Sequence, residues 1–235
     1  MIELRPASRR GRVSRRTVTA QHHGRRSPAH RTPGRTTLAE YRRFLHTALR
    51  SPTTVGAATP TSQAVGRTVA QVVPRTGSPV VVELGPGTGS LSGAIHHRLP
   101  ESGRHIGIEL DEGLVQHLRV NYPRMETVHA DARDLRGVLN RLGVEAADVI
   151  VTSIPWSLLP KDAQDDILRQ CHEVLTPTGV FTALTYLPMQ HTPTGHRFGT
   201  RLYSGFDEVL THATWRNLPP ILHYTCRRPL PGTEQ

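Results

Sequence analysis

The sequence predicts an α/β protein: a doubly wound, seven-stranded sheet with helices on both faces and a helical extension at its N-terminal side. Three observations carry this. From Pro79 short β-branched runs alternate with longer helical stretches, the pattern of a parallel sheet with crossover helices. The first run leads directly into the glycine-rich turn Gly85-Pro86-Gly87-Thr88-Gly89. After Tyr186 the alternation stops, and two further strands close the sheet as an antiparallel pair.

The elements follow in order. Thr36 or Thr37 can cap a helix in which Leu38, Tyr41, Leu45, Ala48 and Leu49 recur at helical spacing, ending before Pro52. A loop rich in Gly and Pro precedes a second helix at 62–73. Strands are expected at Val80–Leu84, His105–Glu109, Glu126–His129, Asp148–Thr152 and Val180–Thr185, with helices at about 90–100, 112–120, 133–142 and 161–175. Residues 188–200, rich in Pro, Gly and His, read as a loop. Strands near 207–215 and 221–227 flank the turn Asn217-Leu218-Pro219-Pro220. The organisation is therefore a basic tail at 1–35, a helical lid or entry segment at 36–75, and the main domain at 76–230.

Charge is concentrated in the tail. Residues 1–35 hold ten arginines against Glu3 alone, nine of the chain's ten net positive charges. The body is close to neutral and lacks the basic groove that structured RNA requires. The tail reads as a solvated segment or as one drawn to anionic lipid or nucleic acid, and charge alone does not decide between them. No apolar run approaches the roughly 20 residues that cross a bilayer, and the N-terminus lacks the apolar stretch of a secretory signal. A cytoplasmic protein, peripheral at the inner membrane face, is expected. Cys171 and Cys226 have no metal-site spacing, and nothing calls for a disulfide between them.

The chemistry gathers at the strand ends. Gly85-x-Gly87-x-Gly89 has one residue fewer than the dinucleotide fingerprint. Glu83, just ahead of the turn, would disfavour a pyrophosphate and suit a cationic ligand such as a sulfonium amino acid. Glu109 ends the second strand, twenty residues past Gly89, where a carboxylate can accept from both ribose hydroxyls. Asp131, in His129-Ala130-Asp131-Ala132, is placed to accept from an adenine amino group.

Together with Ser153-Ile154-Pro155-Trp156, these residues resemble motif I, the acidic loop, the adenine loop and motif IV of class I methyltransferases, whose sheet is Rossmann-like. The resemblance covers roughly residues 40–228 and implies S-adenosyl-L-methionine as cofactor, held by Glu83, Gly85, Gly87, Gly89, Glu109, Asp131, Ala132 and Ser153. Two subfamilies are similar: ribosomal RNA adenine dimethylases and bacterial phospholipid N-methyltransferases. The stretch from Phe44 through Ser62, and Trp215-Arg216-Asn217-Leu218-Pro219-Pro220, resemble the second. Adenine enzymes carry Asn or Asp followed by Pro at the start of motif IV. Ser153 and Ile154 replace them, and a serine cannot present an amide's paired acceptor and donor. An sp³ amine fits better than a planar one.

The implied reaction is N-methylation of a phospholipid headgroup such as phosphatidylethanolamine. A methyltransferase of specialised metabolism acting on a small molecule or peptide is the alternative, and an rRNA adenine N6-dimethyltransferase is disfavoured. Acceptor-site candidates are Ser153, Pro155, Trp156, Tyr186 and Tyr41, the aromatic ones as walls for a cationic headgroup. His191 and His196 lie in the segment after Tyr186, but spacing does not assign a catalytic base. Residues 1–50 could meet an anionic membrane, the first helix placing Tyr41, Phe44, Leu45 and Leu49 in the interface; a lid over the cofactor is the other reading of that helix.

Overall fold

The computed structural model describes residues 63–215 and 219–230. The tail, the helix expected after Thr36 with Tyr41, the loop before residue 63, and Arg216-Asn217-Leu218 lie outside them.

Seven strands form one sheet: β1 (Val80–Leu84), β2 (Arg104–Glu109), β3 (Met125–His129), β4 (Ala147–Thr152), β5 (Leu175–Tyr186), β6 (Phe206–Thr214) and β7 (Ile221–Pro229), in the order β3-β2-β1-β4-β5-β7-β6. The first five run parallel. β7 is antiparallel to both β5 and β6, as the turn composition between the last strands implied. The order reverses at β1 and β4, and ligands gather beyond the carboxyl ends of strands at such a switch point.

Alternation along each strand fixes which helices cover which face. Val82, Leu84, Ile106 and Ile150 point into a core shared with α4 (Leu135–Arg141), α5 (Lys161–Val174) and α6 (Pro193–Gly205). Val81, Val149, Val151 and Leu184 point the other way, against α1 (Gln63–Ala70) and α2 (Ser92–Arg98). Full burial of each such side chain stabilises the fold by about 1.5–3 kcal/mol. Continuous apolar strands of this kind belong to a parallel sheet covered on both faces. Between β2 and β3 lies α3 (Glu112–Asn121), whose cap Asp111 accepts from the Leu114 amide at 3.0 Å. Both cysteines are buried free thiols, and burial pushes Cys226 up to about 12.

One segment departs from expectation. Residues 188–200, read as a loop, form a 3-10 turn at Leu187–His191 and the first half of α6. Pro193 occupies the first turn, where it needs no amide hydrogen, and the Thr192 side chain caps the helix by accepting from the Gly195 amide at 3.1 Å. Gly195 and Gly199 weaken the local helical signal. Burial of Phe198 and Leu202, one turn apart, overrides it. β5 is also longer than expected, because Leu175 pairs with Ala147 beyond a register shift.

Candidate active site

The loop after β1 shows which glycine is left for a ligand. Gly87 and Gly89 have φ of +61° and +85°, left-handed conformations that glycine adopts without strain. A Cβ at Gly89 would lie 2.1 Å from the Tyr122 ring, and one at Gly85 would lie 3.0 Å from Ile154. Packing therefore requires the glycine at 89, and at 85 the tight contact adds to a φ of +66° that itself favours glycine. A Cβ at Gly87 would meet nothing within 4 Å, so this backbone faces open space that a bound group can approach.

Glu109 closes the neighbouring loop. Its Oε2 accepts from the Gly87 amide at 3.0 Å, and its Oε1 from the amides of Leu110 and Asp111 at 2.8 and 3.0 Å. The carboxyl is 3% exposed, and desolvation outweighs those three bonds to raise its pKa. A carboxylate has about four lone-pair sites, so one remains on Oε2.

Asp131 caps the 3-10 turn Ala132–Asp134. Its Oδ1 accepts from the Arg133 amide at 2.9 Å and its Oδ2 from the Arg133 guanidinium at 2.8 and 3.1 Å. Arg133 was not singled out by spacing, although its place two residues after an acid could have marked it. Ala132 is buried beneath this turn.

Glu83 lies under the glycine turn rather than at its surface. It is fully buried, and its Oε2 accepts from Ser92 Oγ at 2.7 Å and lies 3.1 Å from His105 Nε2. Its Oε1 is buried with no hydrogen-bond partner among the described residues. Sequence reasoning missed His105, which pairs with Val81 and so shares a face of the sheet with Glu83; a histidine at the head of an expected strand was the available signal.

On the β4 side, the Ser153 hydroxyl donates to the Gly85 carbonyl at 2.6 Å, and the Ser153 amide to the Leu84 carbonyl at 3.2 Å. A hydroxyl whose hydrogen is engaged this way offers only lone pairs to a further partner. Pro155 is partly exposed beside it. Trp156 requires a correction. Expected as a wall of the acceptor site, it is fully buried, stacked on Phe198 at 4.5 Å and edge-on to Phe181 at 6.2 Å. Its indole N–H donates to Thr152 Oγ1 at 3.2 Å. An indole of this size finds more apolar contact in the core than at an open rim, and Thr152 satisfies its one donor.

Tyr186 stands at the end of β5, half-buried against the α1–α2 core, and burial raises its phenol pKa. That phenol is a hydrogen-bond donor near neutrality. His191 is exposed on the 3-10 turn, 3.2 Å from the Gln190 side chain, and His196 is exposed on α6. Among the described residues neither histidine side chain is hydrogen-bonded to Ser153. The structure thus brings Gly85, Gly87, Glu109 and Ser153 together through hydrogen bonds, while Trp156 goes to the core.

Residues 81–179 match the family model of a methyltransferase domain. An ornithine lipid N-methyltransferase of Singulisphaera acidiphila is 34% identical over 187 residues, which span 78% of this chain and 94% of that protein. Among solved structures, TrmN from Thermus thermophilus is similar with a TM-score of 0.54 and 19% identity, over 80% of this chain and 53% of that one, about half its length. The fibrillarin pre-rRNA processing protein of Methanococcus jannaschii has a TM-score of 0.55 at 12% identity, over 72% of this chain and 76% of its own. At such identities the structures speak for the fold alone. The sheet order, the glycine turn and these likenesses agree: the chain belongs to the class I S-adenosylmethionine-dependent methyltransferases, in the family that includes the ornithine lipid N-methyltransferase.

Proposed function

We propose that the enzyme N-methylates the headgroup amine of a membrane lipid. The observation that carries this reading is the relative that is 34% identical along 94% of its own length and is named for a lipid amine. Ornithine lipid and phosphatidylethanolamine are accordingly the two acceptors to try first.

The cofactor supplies a methyl group activated on a sulfonium. Two features of the chain fit it: the open backbone at Gly87 and the unpartnered buried oxygen of Glu83. In this reading the Glu83 carboxylate lies beneath the turn as a counter-charge to the cofactor's cationic end. Glu109 takes one ribose hydroxyl on the free site of Oε2, and a second only if the Leu110 and Asp111 amides share Oε1. Asp131 can take the adenine amino group on the second lone pair of Oδ1, with Arg133 holding the carboxylate in place.

Ser153 then orients the acceptor. With its proton on the Gly85 carbonyl, its oxygen can accept an N–H from an sp³ amine and direct the nitrogen lone pair toward the methyl carbon. Holding nucleophile and electrophile in line is the main work of such a site. Tyr186, Pro155 and, outside the described residues, Tyr41 are the candidate walls of this position in the proposal.

Delivery from an anionic inner-membrane surface is part of the proposal. The tail carries nine of the ten net positive charges, and such segments attract acidic lipids at about 1 kcal/mol per residue near the surface. Trp215, 73% exposed after β6, stands at the same end of the sheet as the site, as interfacial tryptophans do. Among the described residues no helix is long and apolar enough to cross a membrane. The test is methyl transfer to each lipid in vesicles and to a soluble amine. Turnover of the soluble amine with neither lipid methylated would replace this reading with a small-molecule enzyme. Deleting residues 1–35 is expected to keep cofactor affinity and to weaken salt-sensitive vesicle binding.

A further inference from the structure

A groove of about 220 Å³ runs between α6 and the β6–β7 hairpin, apart from the glycine turn. It starts beside the sheet end that carries the site. Leu222 and Tyr224, in its floor, pair with Thr185 and Ala183, one and three residues back from the last residue of β5. At roughly 3.3 Å per residue this places the floor within about 10 Å of that strand end. Gln190 contributes to the groove from the turn that follows Tyr186, and the amide of Leu187, which opens that turn, donates to the Pro220 carbonyl at 2.8 Å.

Two glycines of α6 line this space, and they differ in what requires them. A Cβ at Gly195 would collide with the Met189 carbonyl at 2.0 Å, so that glycine is dictated by packing. A Cβ at Gly199 would meet only the Tyr224 hydroxyl at 3.4 Å, an ordinary contact, so its bareness leaves the groove open without being required for closure of the helix. Tyr224 is 4% exposed, with its ring edge-on to Phe198, and its hydroxyl comes 3.4 Å from where a Cβ on the groove residue Gly199 would stand, at the open side of the ring. Burial also raises its pKa, so it stands as a donor.

The residues around the groove select the occupant. They include hydroxyls, the Gln190 carboxamide and the exposed His196, but no lysine, arginine, aspartate or glutamate. A phosphate or carboxylate would lack a fixed cation there, and an ammonium would lack an anion. A neutral acceptor group such as a carbonyl satisfies the phenol. Resting on the lipid reading above, we propose that this groove binds the acyl linkage of the acceptor lipid, its amide or ester carbonyl accepting from Tyr224, while the headgroup amine reaches Ser153. The volume, comparable with about seven waters, suits a linkage and not a whole acyl chain.

The test uses the full chain with ornithine lipid in mixed micelles and three variants, Gly199→Ala, Gly199→Leu and Tyr224→Phe. Gly199→Leu is expected to raise the lipid KM about tenfold or more by filling the groove. Gly199→Ala should change it little. Tyr224→Phe, which removes one hydroxyl, should raise it about fivefold. In each case the preference for intact lipid over its water-soluble headgroup amine falls by the same factor. Melting temperature and cofactor affinity report on folding and on the neighbouring site, and both are expected to hold. Lipid turnover by wild type with no KM change in Gly199→Leu and Tyr224→Phe would overturn the groove assignment and leave the lipid reading intact. No lipid turnover by wild type would overturn the lipid reading and the groove assignment with it.

Discussion

The site carboxylates of the β1–β3 half are bonded to partners no more than 22 residues away, whereas Ser153 and the residues packed behind the β4–β7 half are also bonded across 30 to 68 residues of chain. Asp131 is held by Arg133 two residues on, and Glu109 by Leu110 and Asp111 together with Gly87, 22 residues before it. Ser153 reaches the Gly85 carbonyl across 68 residues, and two buried polar residues behind the site do likewise: Gln164 of α5 donates to the Thr194 carbonyl across 30 and Thr182 of β5 to the Tyr224 carbonyl across 42. The first half is thus a set of local loops on a finished sheet, and its side chains can change without disturbing the core. In the second half site and core are the same structure, so a substitution there acts on stability before it acts on chemistry.

Trp156→Ala tests the second half most severely. Removing an indole stacked on Phe198 should cost about 3–5 kcal/mol in urea denaturation. A loss below about 1 kcal/mol would show that the motif IV turn is not held through the core.

Acid probes the same half through His223, which stands opposite His212 in the β6–β7 register. Burial, with His212 adding to it, lowers His223 to about 4, against an ordinary 6.5. Between those values the unfolded chain binds the extra proton, so stability is present above pH 6.5 and is lost as pH falls toward 4. A shift of this size corresponds to about 3 kcal/mol. Thermal melts of wild type and His223→Gln between pH 4 and 7 measure it. Parallel pH dependence in the two proteins would assign the acid sensitivity elsewhere.

The β1–β3 half should respond differently. Glu109→Ala and Asp131→Ala are each expected to weaken cofactor binding by about 1.5–3 kcal/mol, the loss of a charge-assisted hydrogen bond, with a smaller change in stability than Trp156→Ala. Calorimetry on folded variants gives the affinity, and an unchanged value for both would remove these carboxylates from the pocket. The smallest effect is expected for Ser153→Ala, where one neutral bond to Gly85 is lost, about 0.5–1.5 kcal/mol. That loss should appear in turnover more than in cofactor affinity; the reverse split would place Ser153 on the cofactor alone.

Much of this molecule is legible in its sequence. Alternation from Pro79 onward places β1 to β5, because a parallel sheet covered on both faces demands apolar β-branched runs whose spacing its crossover helices set, and the turn composition after Tyr186 places the antiparallel β6 and β7. The glycine turn, Glu109 and Asp131 are equally legible as motifs, although Gly85 and Gly87 find their partners Ser153 and Glu109 in other loops. Other features were decided only by the tertiary structure, for reasons visible in particular residues. Helix α6 looks like a loop because Gly195 and Gly199 dilute its signal, and what sustains it is burial of Phe198 and Leu202 on a distant sheet. Trp156 looks like a wall because it follows a motif, but Phe181, Phe198 and Thr152 supply a better place for its ring and its N–H. Glu83 sits beneath the turn because strand alternation carries it toward Ser92 and His105. Local pattern determines elements and loops through short-range sterics and hydrogen bonds; the use of a side chain as site or as core depends on which distant surface the fold presses against it.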